Sequence, residues 1–196
     1  MSGYLERPPA DHSLIGRMIR ASRLETDLYA EVEADKTATP QAAAVVFLAS
    51  LAGGAGAGAP FWEFALGALL GLGSWYLIAY VVYWVGARVL PEPSTDTNFG
   101  ALLRALGFAN TPGILRLLGV LTPIRDLVFF AAGMWSLVAM ITAVRHALSY
   151  TSSWRALGVC IIPLLGSLLF QLAAIAVFSQ GEVVPGIEEP PVQTPW

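Results

Sequence analysis

What this chain lacks above all is charge. Only 13% of its 196 residues are Asp, Glu, Lys or Arg, against 56% hydrophobic ones, where soluble domains carry about 25% charged. Such a chain has more apolar surface than one water-soluble core can bury, so a polytopic membrane protein is expected. Cysteine is nearly absent: Cys160 stands alone, which excludes a disulfide within the chain and a cysteine cluster for a metal. The two histidines, His12 and His146, form no HExxH pattern, and no metal site is expected. The first forty residues hold no apolar h-region, so no cleavable signal peptide is expected. Acidic residues avoid the middles of the apolar runs, which argues against a proton relay. The glycines at Gly53, Gly54, Gly56 and Gly58 have no Lys-Ser/Thr after them and no strand before them, so they do not read as a phosphate loop. Gly71-Leu-Gly73-Ser74 is only loosely like a hydrolase motif, and no histidine lies within a span to serve as its base. No catalytic residue, no cofactor and no enzyme activity are expected.

What the chain has is apolar length. Spans are expected at about 40–59, 61–88, 99–122, 124–146 and 155–179, since a helix needs roughly 20 apolar residues to cross. Thr39-Pro40 is a good helix start for the first. Tyr83, Trp84 and Arg88 are an interface anchor at the end of the second, which also carries an aromatic stripe with Tyr76 and Tyr80. Pro163 predicts a kink in the last.

The third segment, Phe99–Thr122, decides the topology. With five spans, Arg17, Arg20, Arg23, Arg88, Arg104, Arg145 and Arg155 all fall on the cytoplasmic side, and only Arg125 lies near the outer face. With four, Arg145 and Arg155 are stranded outside. The positive-inside rule favours five, with the N-terminus in the cytoplasm and the C-terminus outside. Pro112 then predicts a kink near Ala109–Gly113. Arg116, in the outer half, is expected to snorkel outward or to meet Asp126 or Glu63. Asn110, Pro112 and Arg116 are also the residues that would line a polar path if the protein were a transporter.

Ahead of the spans, residues 12–36 read as one cytoplasmic amphipathic helix. Leu14, Ile15, Met18, Ile19, Leu28, Tyr29 and Val32 share a broad face, with Arg17, Arg20, Arg23, Asp27 and Glu31 opposite. It would lie on anionic headgroups or pack on the ends of the spans. Residues 1–11 and the proline-rich tail 181–196 read as unstructured. Gly54/Gly58 and Gly67/Gly71 have GxxxG spacing, the pattern of close helix approach.

Two short runs bear a resemblance. Asp27-Leu28-Tyr29 opens Leu28-Tyr29-Ala30-Glu31-Val32-Glu33-Ala34-Asp35 before the first span, and Arg104–Ala109 with Pro112-Gly113 lies in the third. Over residues 12–180 the chain resembles the Ypt-interacting-protein (YIP) domain family, and more closely its prokaryotic members. Eukaryotic members have glycine and tyrosine where this chain has Ala30 and Phe108, so Rab-GTPase binding is not carried over. The resemblance implies an all-α, five-span bundle acting as a membrane scaffold, adaptor or interaction protein of the cell membrane. Its partners would be the bilayer and other membrane proteins or further copies of itself, with no nucleic acid. The alternatives are a small transporter or channel, or an accessory subunit of a larger membrane complex.

Overall fold

A computed structural model describes residues 11–179 except 94 and 96, with side chains as far as Gly166. The segment before Asp11 and the tail 181–196, both expected to be unstructured, lie outside the described residues. Among these residues the fold is all-helical. The first helix, α1 (Leu14–Ser22), is capped by Ser13, whose hydroxyl accepts from the Gly16 N–H. It does not run on to residue 36 as expected. Leu24 takes a left-handed conformation (φ 60°) and turns the chain into a second helix, α2 (Thr26–Ala34).

A short 3-10 turn at Lys36–Ala38 then leads to α3 (Thr39–Ala57). Pro40 sits in its first turn, where a missing N–H costs nothing. Gly58 ends it with φ 77°, its N–H returning to the Ala55 carbonyl. Helix α4 (Phe61–Trp84) follows, finishing in a π-helical turn, Val85–Val89. Helix α5 (Phe99–Ala109) is capped by the Asn98 side chain, which accepts from the Ala101 N–H. Near Pro112, where a kink is expected, the helix changes type. The α-helix stops at Ala109, and the chain continues as a ten-residue 3-10 segment, Thr111–Val120. After another 3-10 turn, Thr122–Ile124, come α6 (Arg125–Ala147) and α7 (Ser153–Ser179), with Pro163 inside the latter. The chain divides into two units, Met1–Pro163 and Leu164–Trp196.

Helix α5 is the axis of the first unit. Every residue from Ala101 to Ala109 is buried, and α1, α2, α3, α4 and α6 all pack on it. Such complete enclosure suits a segment that is apolar all round. The closest approach is to α3 and uses residues too small to hold helices apart. A Cβ at Gly107 would lie 2.6 Å from the Ala42 Cβ. Further along, Gly113 faces Ala49, and Gly119 stands against the Gly56 carbonyl. Gly113, Arg116 and Gly119 are three residues apart, one turn of a 3-10 helix, so this pitch keeps all three on the side toward α3. At Gly56 an added Cβ would collide with the Arg116 carbonyl.

Lys36–Ala57, Phe61–Val89 and Thr122–Ala147 are long and apolar enough to cross a membrane, and the described part of α7, Ser153–Gly166, is a shorter apolar helix. Gly56→Ala should destabilise the protein by about 2 kcal/mol, as overpacking does. Gly67→Ala, with nothing within 4 Å of the added methyl, should be neutral or stabilising by up to about 1 kcal/mol. Thermal unfolding of both in mild detergent checks this, and an unshifted midpoint for Gly56→Ala would contradict the close approach.

Candidate functional site: a charged hairpin docked on the buried helix

The α1–α2 hairpin is dense in ion pairs. Arg17 lies on the polar side of α1, and in the hairpin that side faces inward, leaving it 2% exposed. Its guanidinium donates to Glu31 Oε1 at 2.9 Å, Asp35 Oδ2 at 2.6 Å and Gln41 Oε1 at 2.8 Å. One side chain thus joins α1, α2 and the start of α3. Arg20 donates to Glu25 at 3.2 Å and to Glu31 Oε2 at 2.5 Å, and His12 Nδ1 stands 2.7 Å from Glu31 Oε1. Thr37 donates to Asp35 from its hydroxyl and its N–H. These Thr37 bonds, then Arg17, hold the Asp35 carboxyl at about 2. Burial pushes Glu31 upward, but hydrogen bonds from Arg20, His12 and Arg17 outweigh it and hold this carboxyl below its ordinary value.

Helix α5 grips the same hairpin through Arg104, which is 5% exposed. Its guanidinium donates to the Val32 carbonyl at 2.6 Å and to the Glu33 carbonyl. These belong to the last turn of α2, where carbonyls lack helical partners and a cation is favoured. Nearby, Glu33 Oε1 and His146 Nδ1 face each other at 3.5 Å. Burial raises the Glu33 carboxyl, partly opposed by His146. The family-like run Asp27-Leu28-Tyr29 is split by this packing. Leu28 and Tyr29 are fully buried, the Tyr29 hydroxyl donating to the Ala139 carbonyl of α6 at 3.4 Å, while Asp27 is exposed. The Trp135 indole of α6 donates to the Ser22 carbonyl at 2.9 Å, fixing the tip of the hairpin beside the middle of α6.

The loops beyond α4 and α6 meet each other. Glu92 accepts from the Thr151 N–H at 3.0 Å and hydroxyl at 2.9 Å, and it pairs with Arg155 at 3.5 Å. The Thr151 N–H is the main cause that keeps the Glu92 carboxyl below its ordinary value. The Tyr150 hydroxyl lies 2.8 Å from the Gly86 and Leu90 carbonyls, closing the π-helical turn.

The other residues singled out in the sequence fall elsewhere. Arg116 is half-buried against α3, and among the described residues no carboxylate pairs with it. Asp126 and Glu63, its expected partners, are exposed. Asn110 donates its amide to the Leu106 carbonyl at 2.8 Å, finishing α5, and Pro112 is buried. Of the spaced glycines, Gly54 touches Phe64 and Gly71 touches Ser50, so both are packed between α3 and α4. Gly58 is the C-cap near Arg125, and only Gly67 faces open space. Tyr76, Tyr80 and Tyr83 stand edge-on around Phe99, with ring centroids 5.1–6.3 Å away.

An all-helical chain with three helices able to cross a bilayer, and others packed around a buried fourth segment, is an integral membrane protein of helical-bundle type. The comparisons make this specific. The family model described as Yip1 domain matches residues 33–175, and the chain belongs to that family, which is not an enzyme family. No curated protein and no solved structure matches the chain. The match starts at Glu33, so α1 and nearly all of α2 precede it.

Carboxylates held low contribute stability above their unfolded values, near 4, and lose it as pH falls toward about 2. Glu33, held high, works in the opposite sense and gains as it protonates above that window. The hairpin should therefore loosen between about pH 4 and pH 2. Hydrogen exchange of the Leu14–Ser22 amides, corrected for intrinsic rate, should accelerate through that window, with a smaller step in Asp35→Asn. At neutral pH, Arg17→Met should loosen the hairpin by removing the one side chain that joins Glu31, Asp35 and Gln41, read as faster exchange confined to α1 and α2.

Proposed function

We propose that the protein is a non-enzymatic scaffold or adaptor of the cell membrane, associating side-on with other membrane helices or with further copies of itself. One observation carries this reading. Along α4, Leu66, Leu70, Gly73, Leu77, Tyr80 and Trp84 are all exposed. Their spacing alternates between four and three residues, which is the seam of a helix pair. Any one side of a helix has that spacing, so what marks this stripe is the small residue within it. In its middle, Gly73 leaves an opening with nothing within 4 Å of where a Cβ would stand, which admits a neighbouring helix closely. The seam differs from the Gly54/Gly58 spacing because Gly54 already packs within the chain. The transporter reading is weaker, since the Asn110 amide is taken up by the helix end it caps.

The accompanying topology has five spans, N-terminus in the cytoplasm and C-terminus outside, with domains as the sequence suggests apart from the break in the first helix. Length supports the third span. Eleven α-helical residues rise about 16 Å and ten 3-10 residues about 20 Å, enough together for a hydrocarbon core of about 30 Å. The Glu92–Thr151 and Glu33–His146 contacts gather Arg104, Arg145 and Arg155 with the hairpin at one end of the bundle, and Arg125 donates to the Gly119 carbonyl at the other.

A reporter active only outside the cytoplasm, fused after Trp196, should be active, and activity solely of a cytoplasmic reporter would remove the fifth crossing. For the seam, a cysteine at Leu77 in a Cys160→Ala background should cross-link in native membranes to another chain. A cysteine at Leu127, exposed on α6, should do so at least several-fold less. Equal cross-linking at both positions would indicate random collision and sink the seam.

A further inference from the structure

Arg116 is a cation that the bundle leaves without a counter-charge. It lies in the 3-10 segment, half-buried against α3, and its stem crosses Gly53, with Cδ 3.8 Å from where a Cβ there would stand. The guanidinium does not reach outward along the segment. Its Nη1 is 3.7 Å from the place of a Gly113 Cβ, one 3-10 turn back toward Pro112. At about 2 Å per residue, Gly113 stands about 14 Å inside the Val120 end of the segment. Ser136 of α6 comes to the same spot. Its Oγ is 3.8 Å from that Gly113 point, is buried and has no hydrogen-bond partner. Ser136 is about 16 Å along α6 from Arg125, at about 1.5 Å per residue, which agrees with this depth. Among the described residues the Arg116 guanidinium has neither a hydrogen-bond acceptor nor an ion pair. Two donors thus meet within a membrane bundle with nothing to accept from them.

We propose that a small inorganic anion of the halide class binds here, between the Arg116 guanidinium and the Ser136 hydroxyl, and holds the 3-10 segment to α3 and α6. Chemistry decides the sign. A guanidinium stays charged and offers only donors, and a serine hydroxyl can turn its proton to the same point. A charge inside an apolar bundle is costly unless it is paired. Glu63 and Asp126 are exposed and make no pair with it. Size and depth decide the class. The walls are Gly53, Gly113 and Ala49, whose Cβ is 3.3 Å from the Gly113 point, so a bulky anion is excluded. A phospholipid phosphate stops at the edge of the hydrocarbon core, about half its thickness away. The guanidinium points between helices of its own chain and away from the exposed Leu115, Leu117 and Leu118, so a carboxylate on a neighbouring chain would have to enter the bundle. The proposal rests on the reading that the third segment crosses the membrane, but not on the α4 seam.

The test follows thermal unfolding of the full-length protein in mild detergent, in sodium chloride or sodium gluconate at equal ionic strength. Chloride at about ten times its dissociation constant should raise the midpoint by about 4 °C, and bromide should replace it. Arg116→Gln should unfold at the same midpoint in both salts. Ser136→Ala, which keeps the charge and removes one charge-assisted hydrogen bond, should need about tenfold more chloride for half the rise. This smaller change reads the site even if Arg116→Gln is too unstable to purify. Arg88→Gln, at an exposed arginine beyond α4, should keep the whole response. Equal midpoints in chloride and gluconate for the unsubstituted protein would overturn the proposal. So would a chloride response that survives Arg116→Gln or is unchanged in Ser136→Ala. A co-purifying chain whose carboxylate cross-links beside Arg116 would take the anion's place and overturn it as well. Cross-linking at Leu77 and the reporter after Trp196 read the seam and the topology separately, so this proposal can fail while both stand.

Discussion

The carbonyl oxygen of Arg116 occupies the place where a side chain of residue 56 would stand. Much of the bundle depends on that backbone contact. It exists because Gly56 has no Cβ and because the 3-10 pitch brings Gly113, Arg116 and Gly119 onto one side. Helices in lipid gain little from apolar contact alone, so backbones that approach closely must supply the attraction through packing. Pulled against α3 in this way, the segment after Pro112 stays beside the bundle, and α5 before it is enclosed on every side.

Enclosure sets the rules for polar groups. Arg104 and Trp75 both reach main-chain carbonyls around α5: Arg104 those of α2, and Trp75 the carbonyl of Leu103 itself at 3.0 Å. Hydrogen bonds to carbonyls are the economical solution where water is excluded, since every carbonyl has a second lone pair to offer. The charged cluster of the hairpin obeys the same rule with carboxylates. Its cations are matched except at the hairpin tip, and that mismatch sits where an apolar groove opens.

Much of this was legible in the residues. The end of α5 could be placed from Pro112, the start of α3 from Thr39-Pro40, and the membrane class from the scarcity of charge. The break between α1 and α2 was hidden for a physical reason. Its left-handed residue is Leu24, a leucine where glycine or asparagine would advertise a turn. Without that turn, Arg17 falls opposite an apolar face and looks solvated. With it, Leu14 and Met18 pack on the core beside Leu28, Tyr29 and Val32, Ile15 and Ile19 point outward, and Arg17 points in. The glycine pairs carry less information, because spacing states that helices can approach and not which helix does: Gly54 and Gly71 meet partners in their own chain.

The Arg17 cluster has one more property. All its partners, from His12 to Gln41, lie within a short stretch of chain, so closing it brings together ends separated by few residues and costs little loop entropy. Arg104 reaches back across 72 residues to Val32, a closure that must wait until two long helices have been made. In the order of synthesis the hairpin can therefore be complete while the first membrane helix is still emerging. The buried helix then arrives at a surface already formed, and its arginine finds the carbonyls in position.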